Sequence, residues 1–279
     1  MTDSLGARDH AGGPVVVITG STRGIGAGLA TSFLDRGCAV VVSGRASDVV
    51  AAAAGELAAV HGENRVLGVA CDVTDRASLQ ALWDATVARF GRVDHWVLNA
   101  GVSQPLEPVW ALDPTDIDTV VATNLTGTLH GVAVAAQGLR GQQGGGFVWL
   151  MEGFGSDGRT TAGLAAYGAT KRAVRYLAKA LAVDAEDVPG LRIGTLSPGI
   201  VITDLLTAQL DESTERGRKA AKVYRVLADR VETVTPWLAD RVLAATRPGT
   251  KVAWLTSRKA AVRFATAAFS RRDPLQEVS

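Results

Sequence analysis

Cysteine is almost missing from the 279-residue chain: only Cys38 and Cys71 occur, which excludes a disulfide scaffold and a Cys-rich zinc site. Histidine is as sparse. His10, His61, His95 and His130 are scattered and form no H-E-x-x-H or other metal-ligand spacing. Neither sign of charge dominates, with 29 Lys+Arg against 28 Asp+Glu. A nucleic-acid binder needs a clear phosphate-neutralising excess, so that class is excluded. No apolar run approaches the roughly 20 residues that cross a bilayer. Residues 1–14 are polar and Gly-rich, without the basic-then-apolar order of a secretory signal. They are expected to form a flexible tail on a cytoplasmic protein. Repeats, low-complexity tracts and Pro/Ser-rich linkers are also lacking. What the chain has is apolar residues, 47% of the total, enough to bury the core of one large α/β domain.

Residues 15–19 are a β-branched run of the kind that makes a buried strand. A glycine-rich turn follows, then Ile25, Leu29 and Phe33 at helical spacing, with Gly37 to end the helix. The alternation repeats. Residues 39–43 read as a strand, Ser47 as the cap of an Ala-rich helix ending near Gly62, and 66–71 as the third strand. Asp75 starts a helix carrying Leu79, Leu82 and Phe90, closed by Gly91. Residues 93–98, 147–151, 192–196 and 251–255 supply four more strands. Strands alternating with helices predict a doubly wound Rossmann-type domain over 15–256: a seven-stranded parallel sheet with helices on both faces. Ligands of such sheets bind outside the carboxyl ends of the strands, near the reversal of strand order.

Thr19-Gly20-Ser21-Thr22-Arg23-Gly24-Ile25-Gly26 falls between the first strand and the first helix. Glycines there let the backbone approach a pyrophosphate, whose charge suits the helix N-terminus. The spacing G-x-x-x-G-x-G matches neither G-x-G-x-x-G nor a P-loop, and a turn that binds nothing is the plain alternative. The second strand ends Ser43-Gly44-Arg45, where a cofactor with a free 2′-hydroxyl is usually held by Asp or Glu. Arg45 and Arg23 instead offer two guanidinium groups to a 2′-phosphate, which predicts NADP.

Further motifs come in a fixed order: Asp72-Val73, Asn99-Ala100-Gly101, Asn124, Tyr167-x-x-x-Lys171, then Pro198-Gly199-Ile200 followed by Thr203. With the glycine turn they make residues 15–256 resemble the short-chain dehydrogenase/reductase family. The strip Met151-Glu152-Gly153-Phe154-Gly155-Ser156, with Tyr167-Gly168-Ala169-Thr170-Lys171, is similar to its chlorophyll b reductase-like branch, which reduces a carbonyl substituent on a large ring system. The resemblance implies that Asp72-Val73 contacts adenine, that Asn99-Ala100-Gly101 stabilises the central sheet, and that Pro198-Gly199-Ile200 and Thr203 lie on the nicotinamide side. It also implies that Asn124 interrupts a helix and holds a water linked to Lys171. A homodimer or homotetramer is the expected assembly, and the expected ligand is a small-molecule substrate.

Tyr167 and Lys171 are four apart and share a helix face. A free phenol titrates near ~10, so it needs a cationic neighbour to exchange a proton at neutral pH. The resemblance makes Tyr167 the proton donor or acceptor, and gives Lys171 both that phenol and the nicotinamide ribose. The family's usual serine, at the end of the fifth strand, is missing. Counting back from Tyr167 by the family's spacing reaches Phe154, whereas alignment on strand 147–151 puts Glu152 there, with Ser156 nearby. An ionised Glu152 only accepts hydrogen bonds and would oppose a Tyr167 phenolate. Three readings are open. Glu152 is kept protonated and donates, it accepts from a substrate hydroxyl or pairs with a cationic nitrogen, or it is a structural partner of an arginine such as Arg159. Substrate contact is the expectation, because the strand end aims into the cleft.

Residues 203–235 correspond to the family's mobile lid, with Leu205, Leu206, Leu210, Tyr224 and Leu227 to line a pocket or pack the lid onto the body. Residues 257–279 form a basic amphipathic extension. Val262, Phe264, Ala265, Ala268 and Phe269 are its apolar members, and Arg258, Lys259, Arg263, Arg271 and Arg272 are its charges. Such a helix can lie on a membrane, but its short apolar side chains favour packing on the body or on a partner subunit. The function expected is an NADP-dependent oxidoreductase acting on a carbonyl/alcohol group. A redox-neutral or imine-directed enzyme and a cofactor-sensing binding protein are the alternatives.

Overall fold

The computed structural model describes residues 12–208, 210–267 and 273–275. Residues 1–11 of the expected tail, and Ala268, Phe269, Arg271 and Arg272, lie outside the described residues. The first half runs β1 (Val15–Ile18), α1 (Gly24–Leu34), β2 (Ala39–Gly44), α2 (Ser47–His61), β3 (Val66–Ala70), α3 (Arg76–Phe90), β4 (His95–Leu98), α4 (Pro114–Val121) and α5 (Gly127–Gly141). The second half runs β5 (Gly146–Met151), α6 (Ala165–Asp184), β6 (Leu191–Ser197), β7 (Val201–Ile202), α7 (Asp204–Thr207), α8 (Glu215–Leu227), β8 (Asp229–Arg230), α9 (Val231–Leu243), β9 (Lys251–Ala253) and α10 (Ser257–Thr266).

Local chemistry sets several boundaries. Asp75 caps α3 by accepting from the N–H groups of Ala77 and Ser78, and Gly91 ends it in the left-handed region at φ 79°. Ser47 does not cap α2: it is the first helical residue, and the N-cap is Ala46, with no side-chain bond. Between α4 and α5 the helix widens into a π-turn over Ala122–Thr126, with Asn124 buried in it.

The seven long strands form one sheet in the order β3-β2-β1-β4-β5-β6-β9, all parallel. Strand residues alternate between two cores, as a period of two requires. Val15, Val17, Leu98, Leu150 and Ile193 pack with Leu79, Leu82, Leu139 and Val174 from α3, α5 and α6. Val16, Ile18, Val97 and Trp149 pack with Leu29, Phe33, Val234 and Leu238 from α1 and α9. Each such fully buried side chain contributes ~1.5–3 kcal/mol. Strand order reverses between β1 and β4, which locates the ligand crevice beyond their carboxyl ends.

β7, just before residues 203–235, and β8, within them, pair in parallel as a separate two-stranded sheet. Residues 231–235 are not lid but the first turns of α9, where Val234 and Thr235 are buried and Ser32 of α1 donates to Thr235 Oγ1 at 3.2 Å. α10 packs back on α8 of its own chain. No helix among the described residues is long and apolar enough to cross a membrane.

Candidate active site

The turn between β1 and α1 is shaped by what it must approach. Gly20 and Gly24 take φ of +64° and +57°, and a Cβ on Gly26 would strike Gly20 O and Asn99 Nδ2. Asn99 holds the turn to the end of β4, its Nδ2 donating to Thr19 O at 3.0 Å and Gly20 O at 2.8 Å. The N-cap Arg23 gives no side-chain acceptor to the first N–H groups of α1, so those donors keep their partial positive charge. They border a cleft of about 640 Å³. A dinucleotide pyrophosphate fits that cradle.

All the expected cofactor contacts line this cleft except Ser21 and Ser43. Those two are buried and bonded to each other's strand. Ser21 Oγ donates to Ile18 O at 2.7 Å and accepts from Ser43 N at 2.9 Å, while Ser43 Oγ donates to Ile18 O at 3.1 Å. They knit β1 to β2 and do not face a ligand. Arg23 and Arg45 stand at the mouth. Arg23 Nη1 lies 3.9 Å from Asp204 of α7, an exposed pair of little energetic weight.

α6 presents Tyr167 and Lys171 to the same cleft. Burial disfavours both charged forms: it pushes the Tyr167 phenol up to about 12 and draws the Lys171 ammonium down to about 8. Lys171 Nζ donates to Met151 O at 3.3 Å and lies 5.8 Å from the Tyr167 ring centre. The helix is aimed by Gln104, which sequence reasoning missed. Its Oε1 accepts from Tyr167 N at 2.8 Å and its Nε2 donates to Gly163 O at 3.0 Å. Asn124 does not line the cleft. Its Oδ1 accepts from Val102 N at 2.9 Å, and its Nδ2 donates to Val102 O at 2.9 Å and Thr170 Oγ1 at 3.2 Å. The amide thus pins the loop after β4 to α6, with no side-chain bond to Lys171.

Glu152 lines the cleft with Tyr167 and Lys171, and its carboxylate already has a partner. It continues the face of Val148 and Leu150, under α6, and is buried. Both its oxygens accept from Lys251 Nζ of β9, at 2.7 and 3.0 Å. It is therefore an ion-pair member at the cleft wall, and its partner is not Arg159, which pairs with Asp157 at 3.3 Å. Ser156 is no substitute donor, for its Oγ donates to Lys171 O at 3.1 Å and accepts from Gly153 N at 3.0 Å. The residue against the tyrosine is Gly153: a Cβ there would lie 2.5 Å from Tyr167 Oη and 3.2 Å from Lys171 Cδ and Cε. No side chain fits between strand end and phenol. Phe154, one residue on, is 40% exposed at the cleft wall.

The rest of the wall mixes Ser103, Thr123, Thr160 and Thr161 with an apolar group, Leu164 and Phe154 together with Leu205, Leu206, Val223 and Tyr224 from α7 and α8. Leu210 and Leu227 are not in it; Leu227 is buried. No cluster of His, Cys, Asp or Glu among the described residues can hold a metal ion.

Known proteins with this arrangement are nicotinamide enzymes. The chain is 35% identical over 266 residues to chlorophyll(ide) b reductase NOL of Oryza sativa subsp. japonica, covering 92% of this chain and 76% of that one. Its structure superposes on a 3-ketoacyl-(acyl-carrier-protein) reductase from Brucella melitensis complexed with NADH, with a TM-score of 0.76 and 26% identity over 88% of this chain and 98% of that one. It superposes equally on a gluconate 5-dehydrogenase from Burkholderia cenocepacia in complex with NADP and tartrate, with a TM-score of 0.77 and 26% identity over 89% and 96%. The family model for short chain dehydrogenases matches residues 14–214, a span that takes in the glycine turn, Tyr167 and Lys171, and so the chain belongs to the short-chain dehydrogenase/reductase family of oxidoreductases.

Proposed function

We propose that the protein uses NADPH to reduce a carbonyl group on a large apolar, polycyclic small molecule. The observation that carries the reading is that half-buried Tyr167 and buried Lys171 share one cleft with the glycine turn. Preference for NADP is supported by Arg23 and Arg45 at the mouth, with no carboxylate at the end of β2. Substrate size is supported by the apolar group in the cleft wall and by similarity to a reductase of chlorophyll(ide) b.

When bound, the nicotinamide supplies the hydride that adds to the carbonyl carbon. The protein supplies the proton. Tyr167 carries it at neutral pH, since burial holds its phenol near about 12, and donates it to the carbonyl oxygen as the alcohol forms. Lys171 stabilises the phenolate left behind and bonds the cofactor ribose. Its ammonium is secured by Met151 O and by the absence of any side chain at Gly153. Gln104 and Asn124 hold α6 so that both groups keep their aim.

The test is NADPH oxidation by the purified protein against a panel of aldehydes and ketones from benzaldehyde to pyrene-1-carboxaldehyde. The larger carbonyls should be favoured. Tyr167→Phe should lower kcat at least a thousandfold and leave NADPH affinity within threefold. Turnover by Tyr167→Phe at near-normal rates, or no oxidation with any carbonyl, defeats the proposal.

A further inference from the structure

α10 carries the basic amphipathic pattern of the C-terminal extension, yet it turns one of its arginines inward. Arg263 Nη1 donates to Leu227 O at 3.0 Å and to Asp229 Oδ2 at 2.7 Å, and its Nη2 donates to Asp229 Oδ1 at 3.1 Å. Asp229 is only 4% exposed, and its Oδ2 also accepts from the Trp254 indole N–H at 2.6 Å. Lys259 of α10 sits 3.1 Å above the Trp254 ring centre. A second tie lies at the surface, where Arg225 of α8 pairs with Asp273 at 3.3 Å and with Glu212 at 3.0 Å. The C-terminal segment thus grips the end of α8 at two points.

That grip bears on the cleft. Asp229 N donates to Ile200 O at 2.9 Å, and Asp229 pairs with Val201 in the small sheet. Ile200 and Val201 line one side of the cleft, and Val223 and Tyr224 of α8 line it further along. Asp229 is therefore the junction of two walls. Loss of Arg263 takes a donor from Leu227 O and one from each Asp229 oxygen, groups of the α8–β8 junction that then have to reach water. Tyr167 and Lys171, on α6, make none of these contacts.

We infer that Arg263 is a positioning residue for the substrate wall: from the C-terminal helix it fixes α8 and β8 at the spacing that lets the cleft admit a bulky substrate. The planar guanidinium engages Leu227 O and both Asp229 oxygens at once, a geometry an ammonium cannot reproduce. The inference rests on the carbonyl-reductase reading of this site for its kinetic readout, but not for its structural one.

Arg263→Met, Arg263→Lys and the double variant Arg263→Met/Asp229→Asn separate the outcomes. For Arg263→Met, KM for pyrene-1-carboxaldehyde should rise at least tenfold, with kcat and the calorimetric Kd of NADPH within threefold. Trypsin should cut α8, at Arg218, Lys219, Lys222 or Arg225, at least tenfold faster, while sites elsewhere keep their rates. Arg263→Lys should recover part of both effects. The double variant, which also removes the buried Asp229 charge, should regain thermal stability without regaining KM, and it serves if the single variant does not fold. Unchanged KM and unchanged α8 cleavage overturn the inference. So does a parallel fall of kcat, cofactor affinity and thermal stability, which would mark a merely structural arginine. Absence of turnover by the unmodified protein defeats the reductase reading instead, and the cleavage ratio alone then decides on Arg263.

Discussion

Removing Lys251 should harm the protein more than neutralising Glu152. The carboxylate is buried while the Lys251 side chain is 40% exposed, so the ammonium can return to water but the carboxylate cannot. Lys251→Met strands a buried charge, at a cost on the order of 3 kcal/mol, whereas Glu152→Gln leaves a neutral amide and a solvated lysine, at about 1 kcal/mol. Chemical denaturation reads the difference. Since both Glu152 oxygens are held by Lys251, Glu152→Gln should leave the pH dependence of kcat unmoved; a lost or displaced limb would place Glu152 in the reaction. The pair explains what the sequence could and could not reveal at this scale. Tyr167 and Lys171 are one helical turn apart, so their meeting is local. Glu152 meets a lysine 99 positions away, and only the β5-β6-β9 order makes them neighbours. The strand end aims Glu152 at the face beneath α6, and the next residue, Gly153, meets the phenol. A register displaced by a single residue exchanges those faces.

Elements were legible where they are long and bury a whole face. The β-branched runs that become β1 and β2 and the capped α3 needed no tertiary information. β7 and β8 did need it: each has two residues, and they form because Asp229 N reaches Ile200 O and the chain on either side is already anchored. The internal bonds of Ser21 and Ser43 were hidden for a related reason. Ser21 and Ser43 sit among ligand-facing residues, but the register of β1 against β2 aims both at Ile18 O. Arg45, just beyond β2, has no such internal partner and lies exposed at the cleft. Arg45→Ala should therefore lower NADPH affinity by about tenfold and hardly change NADH affinity, the loss expected for one charge-assisted bond of ~1.5 kcal/mol to a 2′-phosphate. Calorimetric titration with both cofactors decides it, and equal losses for both would assign Arg45 to the fold.

At the scale of the whole molecule, three groups buried as parts of the sheet and α6 give folding stability a defined pH dependence. Trp149 donates to His95 Nδ1 at 3.1 Å, and burial draws the imidazole down from 6.5 to about 4. Between those values the unfolded chain binds a proton that the native one refuses, so stability falls on acidification through that window. Lys171 is drawn from 10.5 down to about 8. Between pH 8 and 10.5 the unfolded chain again holds the extra proton, so stability rises as pH rises there, and the full burden of burying this ammonium is carried below pH 8. Tyr167 is pushed from 10 up to about 12; in that window the native state keeps a proton the unfolded chain has lost, and stability falls. At neutral pH the fold accordingly stays below the stability it can reach, because Lys171 is buried and charged. Urea midpoints followed from pH 5 to 11 should climb above pH 8 and turn over near pH 10. Lys171→Met should be more resistant to urea than the unmodified chain at pH 7 and should lack the climb. A climb that survives in Lys171→Met would mean that some other group binds the proton, and that the active-site lysine is not what holds stability down at neutral pH.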